Sequence, residues 1–320
     1  MESAHICPEG TLYNSFDYRL MVTTFGSNIV SAFTGGVPVK AIYAYGEQVW
    51  PSSTPPEPGT YYIRWTPSDL SGTFSMSGVT YNLEDYGGYF SFSGDGSITQ
   101  AAFSNKGLTT LETNATWIGI DAFRNNPLTS INLTGDVNIA PYAFYSCTSL
   151  SYAQIQNCTH IDNSAFEGCK LRGMSSLYLP KCTYIGAYVF EIYPDFENVN
   201  LPVCSSIGAY AFCAACGSGT LNIPKCEYLA TSCFYKAGFK EVNLPVCSYI
   251  GGGTFASCSS LSSVTIGYSS VCKLNYRNAF ASTPISSGTG SIYVPASLVS
   301  AYKTASEWSY YSSRIFPIQE

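Results

Sequence analysis

From residue 98 onward, apolar and polar positions recur together at an almost fixed spacing. An aromatic closes each unit, at Phe103, Phe123, Phe144, Phe166, Phe190, Phe212, Phe234, Phe255 and Phe280, in steps of 20, 21, 22, 24, 22, 22, 21 and 25 residues. Five positions earlier stands a branched aliphatic in all but the last unit: Ile98, Ile118, Ile139, Ile161, Ile185, Ile207, Leu229 and Ile250. The residue just before the aromatic is usually small, as at Ala102, Ala122, Ala143, Ala165, Ala211 and Ala279. Upstream lies an alternating run with its own apolar pair: Ile131/Leu133, Ala153/Ile155, Leu177/Leu179, Val199/Leu201, Leu221/Ile223, Val242/Leu244, Val264/Ile266 and Ile292/Val294. Alternation of this kind marks a strand whose alternate side chains point inward.

One short strand per 20 to 25 residues predicts a β-rich leucine-rich-repeat solenoid with parallel strands. No single unit buries its own apolar face, so each coil completes its core by stacking on the next. The array is expected over residues 98–294. Before it, residues 60–97 alternate between strands and tight turns, with Tyr62/Arg64, Phe74/Met76 and Tyr89 to Phe92 in the strands, and are assigned as an N-terminal cap. Residues 1–50 hold no copy of the unit and form a small β-rich module, with strands at Arg19–Phe25 and within 39–50, the Gly35-Gly36 turn between them, and a hairpin turn at Tyr45-Gly46-Glu47-Gln48. Four prolines within residues 51–59 mark a semi-rigid linker. After Pro295 the period changes to three and four through Leu298, Val299, Ala301, Tyr302, Ala305 and Trp308, so residues 295–320 form a helical C-terminal cap, with Ile315, Phe316 and Ile318 sealing the last coil.

Charge narrows the function. Only 11% of residues are charged and the net charge is -6, with no basic cluster, so no nucleic-acid partner is expected. No apolar window is long enough for a membrane span. The start, MESAHICPEG, has neither a basic nor an apolar leader region, which predicts no export by an ordinary signal peptide. Thirteen cysteines suggest disulfides until their placement is read. Cys158, Cys182, Cys204, Cys226 and Cys247 share one place after the strand, and Cys147, Cys169 and Cys258 share another, three past the aromatic. That pattern is a column of buried thiols acting as small hydrophobes, and the odd count favours the reduced form.

Catalytic chemistry finds little footing. His160 reads as an exposed loop residue, and the adjacent Glu84 and Asp85 point apart. Cys213-x-x-Cys216 lacks both the βαβ context of a redox pair and the second pair of a zinc site, so it reads as packing. The segment from Ser93 through Asp95 lacks the later carboxylate of a calcium loop and reads as a turn. No catalytic residue, metal site or cofactor is expected. The functional candidate is a surface. Alternation turns outward one column of Asn132, Gln154, Tyr178, Asn200, Asn222, Asn243, Thr265 and Tyr293, beside a second that includes Tyr152 and Asn198. These neutral amides, hydroxyls and tyrosines are expected on one continuous sheet and suit hydrogen bonding and stacking on a sugar or a protein.

The strings LPVCSSIGAYAFCAAC at 201–216, LPKCTYIGAYVF at 179–190 and LPVCSYIGGGTFASCSSL at 244–261 resemble the BspA-like subgroup of leucine-rich repeats, whose pattern is L-P-x-x-x-x-x-I-x-x-x-A-F-x-x-C-x-x-L. The likeness spans residues 98 to 294. The tail at 291–318 is similar to the closing segment of such proteins from gut Bacteroidota and their phages. The resemblance implies a non-enzymatic solenoid used for adhesion or for binding protein and glycan. The Cys-rich place after the strand departs from the pattern. The run VKAIYAYGEQVWPSS at 39–53 is similar to short β segments of phage tail and virion proteins. Together these imply a phage virion protein for host attachment, with residues 1–50 docking to other virion proteins, the solenoid facing a host glycan or protein, and homo-oligomerisation natural for a spike. The alternative is a bacterial cell-surface or secreted adhesin.

Overall fold

The computed structural model describes residues 59–191 and 194–319 in full, and the backbone of short strands within residues 1–50. Among the latter, Arg19–Phe25 pairs antiparallel with Asn28–Thr34, and Ile42–Ala44 with Glu47–Trp50. The expected turn residues Gly35, Gly36, Tyr45 and Gly46, and the proline-rich run through Pro58, lie outside the described residues.

The repeats wind into a β-rich leucine-rich-repeat solenoid. Each coil contributes not one strand but two. The first strand belongs to a face built from three sheets. A five-stranded sheet pairs Tyr89–Ser93 and Thr60–Thr66 antiparallel, then adds Thr110–Thr113, Ser130–Leu133 and Tyr152–Gln154. A three-stranded sheet holds Ser176–Tyr178, Asn198–Asn200 and Leu221–Asn222, and a four-stranded one holds Glu241–Leu244, Ser263–Ile266, Ser291–Val294 and Ile315–Pro317. The second strand of each coil joins a single parallel sheet of nine, from Ser97–Ile98 through Ser206–Ile207 to Lys273–Leu274. The aliphatic five places before each aromatic is the inward residue of this second strand, and Ile98, Ile118, Ile161, Ile207 and Ile250 are all fully buried.

The third side of the coil carries the aromatics. Two places before and two places after the aromatic, the backbone turns through the left-handed region, as at Asp121 and Asn125 or Tyr210 and Ala214. Such residues cost about 1–2 kcal/mol each when they are not glycine. The cost is offset because the amides beside them bond to the next coil: Phe123 N–H donates to Ala143 O at 2.8 Å, and Asn125 N–H to Tyr145 O at 2.9 Å. Between these corners the nine phenylalanines stack in one file, with centroid separations of 5.1 to 5.8 Å. Each near-parallel pair contributes about 0.5–1.5 kcal/mol beyond the burial of its area.

Both ends of the file are closed by other aromatics. Phe74 stacks on Phe103 at 4.6 Å, with Trp65 at 5.6 Å. Phe74 lies in the hairpin Thr73–Met76 and Val79–Asn82, whose tight turn places Ser77 and Gly78 at positive φ, the geometry that matches strand twist. At the far end Phe280 meets Tyr311 edge-on at 5.5 Å and Trp308 at 6.1 Å. Trp308 and Tyr302 also satisfy the last coil: Trp308 Nε1 donates to Cys272 O at 2.6 Å, and Cys272 N–H donates to Tyr302 Oη at 2.9 Å. The helix here is short, Val299–Thr304, and is followed by a 3-10 turn over Trp308–Arg314. Phe316 does not seal the core as expected. Ile315–Pro317 is a strand, so alternation buries Ile315 and turns Phe316 outward, 37% exposed.

The twelve described cysteines are free and buried. The thiols of Cys182, Cys204, Cys226 and Cys247 each donate to the carbonyl two residues on, at 3.2 to 3.4 Å. Those of Cys147, Cys169 and Cys258 donate to the aromatic's carbonyl in the previous coil. Asn126 occupies this last place in its own coil. Its amide group donates to Phe103 O and Phe123 O, and its oxygen accepts from the amides of Lys106 and Leu108, so a fully buried polar group is satisfied on every side.

Candidate binding surfaces

Strand alternation places every outward residue named from the sequence on the solvent side of the first face. Register aligns Asn132 with Gln154, Tyr178 with Asn200 and Asn222, and Asn243 with Thr265 and Tyr293. Tyr152 and Asn198 stand in the neighbouring column, beside Ser130 and Ser176. The structure does not bring all ten onto one sheet, as the sequence led one to expect. No ladder joins Tyr152–Gln154 to Ser176–Tyr178, or Leu221–Asn222 to Glu241–Leu244. At the first break the connection from Phe166 to Ser176 is two residues longer than that from Phe144 to Tyr152. At the second, the strand is cut to two residues beside Gly217 and Gly219.

Within each sheet the polar side chains bond across rungs. Asn222 Nδ2 donates to Asn200 Oδ1 at 2.8 Å, Thr220 Oγ1 to Asn198 Oδ1 at 2.7 Å, and Asn132 Nδ2 to Glu112 Oε2 at 3.3 Å. Tyr178 and Tyr152 stand 50% and 44% exposed. The amide ladder holds a flat polar floor, and the two tyrosines rise from it.

The column continues, in register, into a cluster that repeat arithmetic missed. Arg64 pairs with Glu112 at 3.1 Å, Tyr62 Oη donates to Glu112 Oε1 at 3.0 Å, and the guanidinium lies 5.4 and 5.6 Å from the Tyr62 and Tyr89 rings. Burial pushes both phenols above their ordinary value. Arg64, Tyr62 and Tyr89 precede the first repeat, where their alternation was the available signal, and Glu112 lies within it.

The second face carries a different set of outward side chains. In order along its nine rungs these are Ser97, Trp117, Asn138, His160, Tyr184, Ser206, Tyr228, Tyr249 and Lys273. His160 is therefore a strand residue, not a loop one, and its ring stacks on Tyr184 at 4.4 Å. Tyr228 stacks on Tyr249 at 4.5 Å, and Lys273 Nζ lies 5.7 Å from the Tyr249 ring.

The remaining motifs carry no chemistry of their own. Cys213 and Cys216 are buried, and burial pushes both thiols up. Asp95 Oδ1 accepts the Ser97 amide at 2.9 Å, a turn contact that lowers its carboxyl below the usual range. Among the described residues no group of three or more His, Cys, Asp or Glu could hold a metal ion, and no helix is long and apolar enough to cross a membrane. Two cavities of about 300 and 320 Å³ lie near the C-terminal end, the first lined by Cys272, Leu274, Ala305 and Trp308, the second by Ser259, Thr283 and Pro284.

Stacked coils with two parallel strands each, an inner file of phenylalanines and outward polar columns define a leucine-rich-repeat solenoid. Residues 92–192 and 183–305 match the BspA type leucine rich repeat region in 6 copies, and the chain belongs to that family. No curated protein matches the chain in sequence. Among solved structures it is similar to a leucine rich cell surface protein from Faecalibacterium prausnitzii A2-165, at 17% identity and a TM-score of 0.40, over 81% of this chain. The chain spans 55% of the length of that structure.

Proposed function

We propose that the chain is a non-enzymatic adhesion module of a bacterial cell surface or of the extracellular space, which binds a host protein or glycan through the first face of its solenoid. The observation that carries this reading is membership of the BspA-type repeat family across residues 92–305. The outward columns support it, since amides and hydroxyls without net charge recognise ligands by directional hydrogen bonds rather than by long-range attraction. Tyr178, Asn200 and Asn222 form the centre of the surface, with Asn132, Gln154, Tyr152 and Asn198 to one side and Asn243, Thr265 and Tyr293 to the other.

The test is a binding screen of the purified full chain against host cells, extracellular proteins and glycans. Binding that is lost in the double variant Tyr178→Ala/Asn200→Ala supports the reading and locates it. Binding that survives both substitutions refutes the placement on this face. A second reading, a phage host-attachment protein held to the particle by residues 1–50, rests on the likeness of the run at 39–53 and of the tail at 291–318 to phage proteins. It predicts that the chain co-purifies with phage particles and that removing residues 1–50 releases it.

A further inference from the structure

The second face holds two stacked ring pairs separated by one small residue. His160 lies on Tyr184 at 4.4 Å and 15°, and Tyr228 on Tyr249 at 4.5 Å and 7°. Adjacent rungs of a parallel sheet repeat at about 4.8 Å. Centroid separations this close to the rung repeat, with nearly parallel planes, mean that the rings stand on edge with their faces along the solenoid axis. The free face of Tyr184 and the free face of Tyr228 therefore look at each other across the rung of Ser206, which pairs with both. Two rungs make a gap of about 9.6 Å between ring planes. A ring stacked on an aromatic lies about 4.5 Å away at its closest, so one inserted ring touches both tyrosines and fills the gap.

We propose that the Tyr184–Ser206–Tyr228 slot binds the pyranose ring of a neutral glycan, its C–H faces against the two phenol rings and a hydroxyl on Ser206. The floor and rim decide the chemistry. Ser206 and the two phenol hydroxyls must keep hydrogen bonds when water leaves, and the equatorial hydroxyls of a sugar replace that water, whereas the edge of an aromatic side chain does not. No rung from Ser97 to Tyr249 carries a charged outward residue, and the net charge of -6 disfavours the phosphates that accompany a nucleobase. Tyr228 is 43% exposed, so the slot is open to a chain that continues past it. The proposal rests on the reading of the chain as a binding protein, but it uses the second face, whereas Tyr178 and Asn200 stand on the first.

The experiment is saturation-transfer-difference NMR on the full chain, with methyl glycosides of glucose, galactose, mannose and N-acetylglucosamine and their short oligomers as probes, and N-acetyltyrosinamide as the aromatic competitor. The expected result is transfer to ring C–H protons of at least one glycoside. Ser206→Tyr continues the stack with a side chain already borne by both flanking rungs, and it should weaken binding by about tenfold or more. Tyr228→Leu removes one wall and should do the same, so a folding defect in either variant does not protect the idea. Tyr178→Ala should leave the signal unchanged, which separates this slot from the first-face surface. The proposal is overturned by no transfer to any glycoside, by binding that persists in Ser206→Tyr and Tyr228→Leu, or by N-acetyltyrosinamide binding where the sugars do not.

Discussion

The two sheet-bearing faces enclose the same core and use their outer side chains differently. On the first, Asn222 bonds to Asn200 and Thr220 to Asn198, and the sheet is broken twice. On the second, aromatic rings stack and nine strands run without interruption. In the middle coils fourteen residues separate the start of the first-face strand from the aromatic, as from Ser130 to Phe144, Ser176 to Phe190 and Glu241 to Phe255, whereas in the last, from Ser263 to Phe280, there are seventeen. The second strand lies inside that interval, and its ladder runs through all nine coils with one bulge, between Val137 and Asn138. The extra residues after Phe166 fall past the aromatic, ahead of the next first-face strand, whereas those of the last coil fall between Ser263 and Phe280. A solenoid thus keeps one face as its spine and lets the other vary.

Breaking the spine should have the largest effect. A Cβ at Gly208 would lie 2.4 Å from the carbonyl carbon of Gly186 in the coil below, so Gly208→Val should cost about 3 kcal/mol or more, read from the urea midpoint. Asn200→Val, outward on the first face, should change it by less than about 0.5 kcal/mol. Equal losses at the two sites would refute the distinction between spine and variable face. Next in size is Asn126→Ala, which strands the amides of Lys106 and Leu108 and the Phe103 carbonyl and should cost about 2–3 kcal/mol by the same measurement.

Burial holds two thiols of the shared core in their protonated form. Burial pushes the Cys204 thiol up to about 11 and that of Cys182 to about 12, from an ordinary value of 9.0. Below pH 9 the unfolded chain holds the same thiol protons as the folded one and the contribution is complete. Above it the unfolded chain binds fewer protons, so stability should fall from pH 9 up to about 11–12. Far-UV circular dichroism against pH checks this, and both faces should be lost in one step. The smallest effects are the most diagnostic of each face. Tyr228→Ala should cost about 1 kcal/mol through the lost stack, and Asn222→Ala about 0.5 kcal/mol through one exposed hydrogen bond.

Burial made the inner half of the design readable. The phenylalanines, the branched aliphatics and the thiols hold fixed places because each must fit a coil above and a coil below, and that constraint is written directly as period. The second strand escaped because it is two residues long in most coils, and its inward aliphatic registered as a core position without a strand around it. His160 was misread as a loop residue for that reason, and the stack it belongs to went unseen. The two breaks in the first face are not written in the apolar pattern, which continues through both: Leu177 and Val242 keep their inward places. Three of the four members of the cluster at Arg64 lie before the first repeat, beyond the reach of the ruler, and Glu112 alone lies within it.

The places where the core departs from its own repeat have a consequence for folding. A chain of near-identical coils offers itself alternative partners: slipped by one unit, phenylalanine still meets phenylalanine and isoleucine still meets isoleucine. Asn126, where other coils bear Cys147 or Cys258, and Thr254, whose hydroxyl donates to Ala230 O and Gly251 O, are satisfied only by their own neighbours. Phe196 and Phe239, set edge-on against Phe190 and Phe234, likewise fit only one address. These exceptions number the coils. A sequence regularised at all four would keep its hydrophobic core and lose the uniqueness of its pairing, exchanging one native winding for several of nearly equal energy.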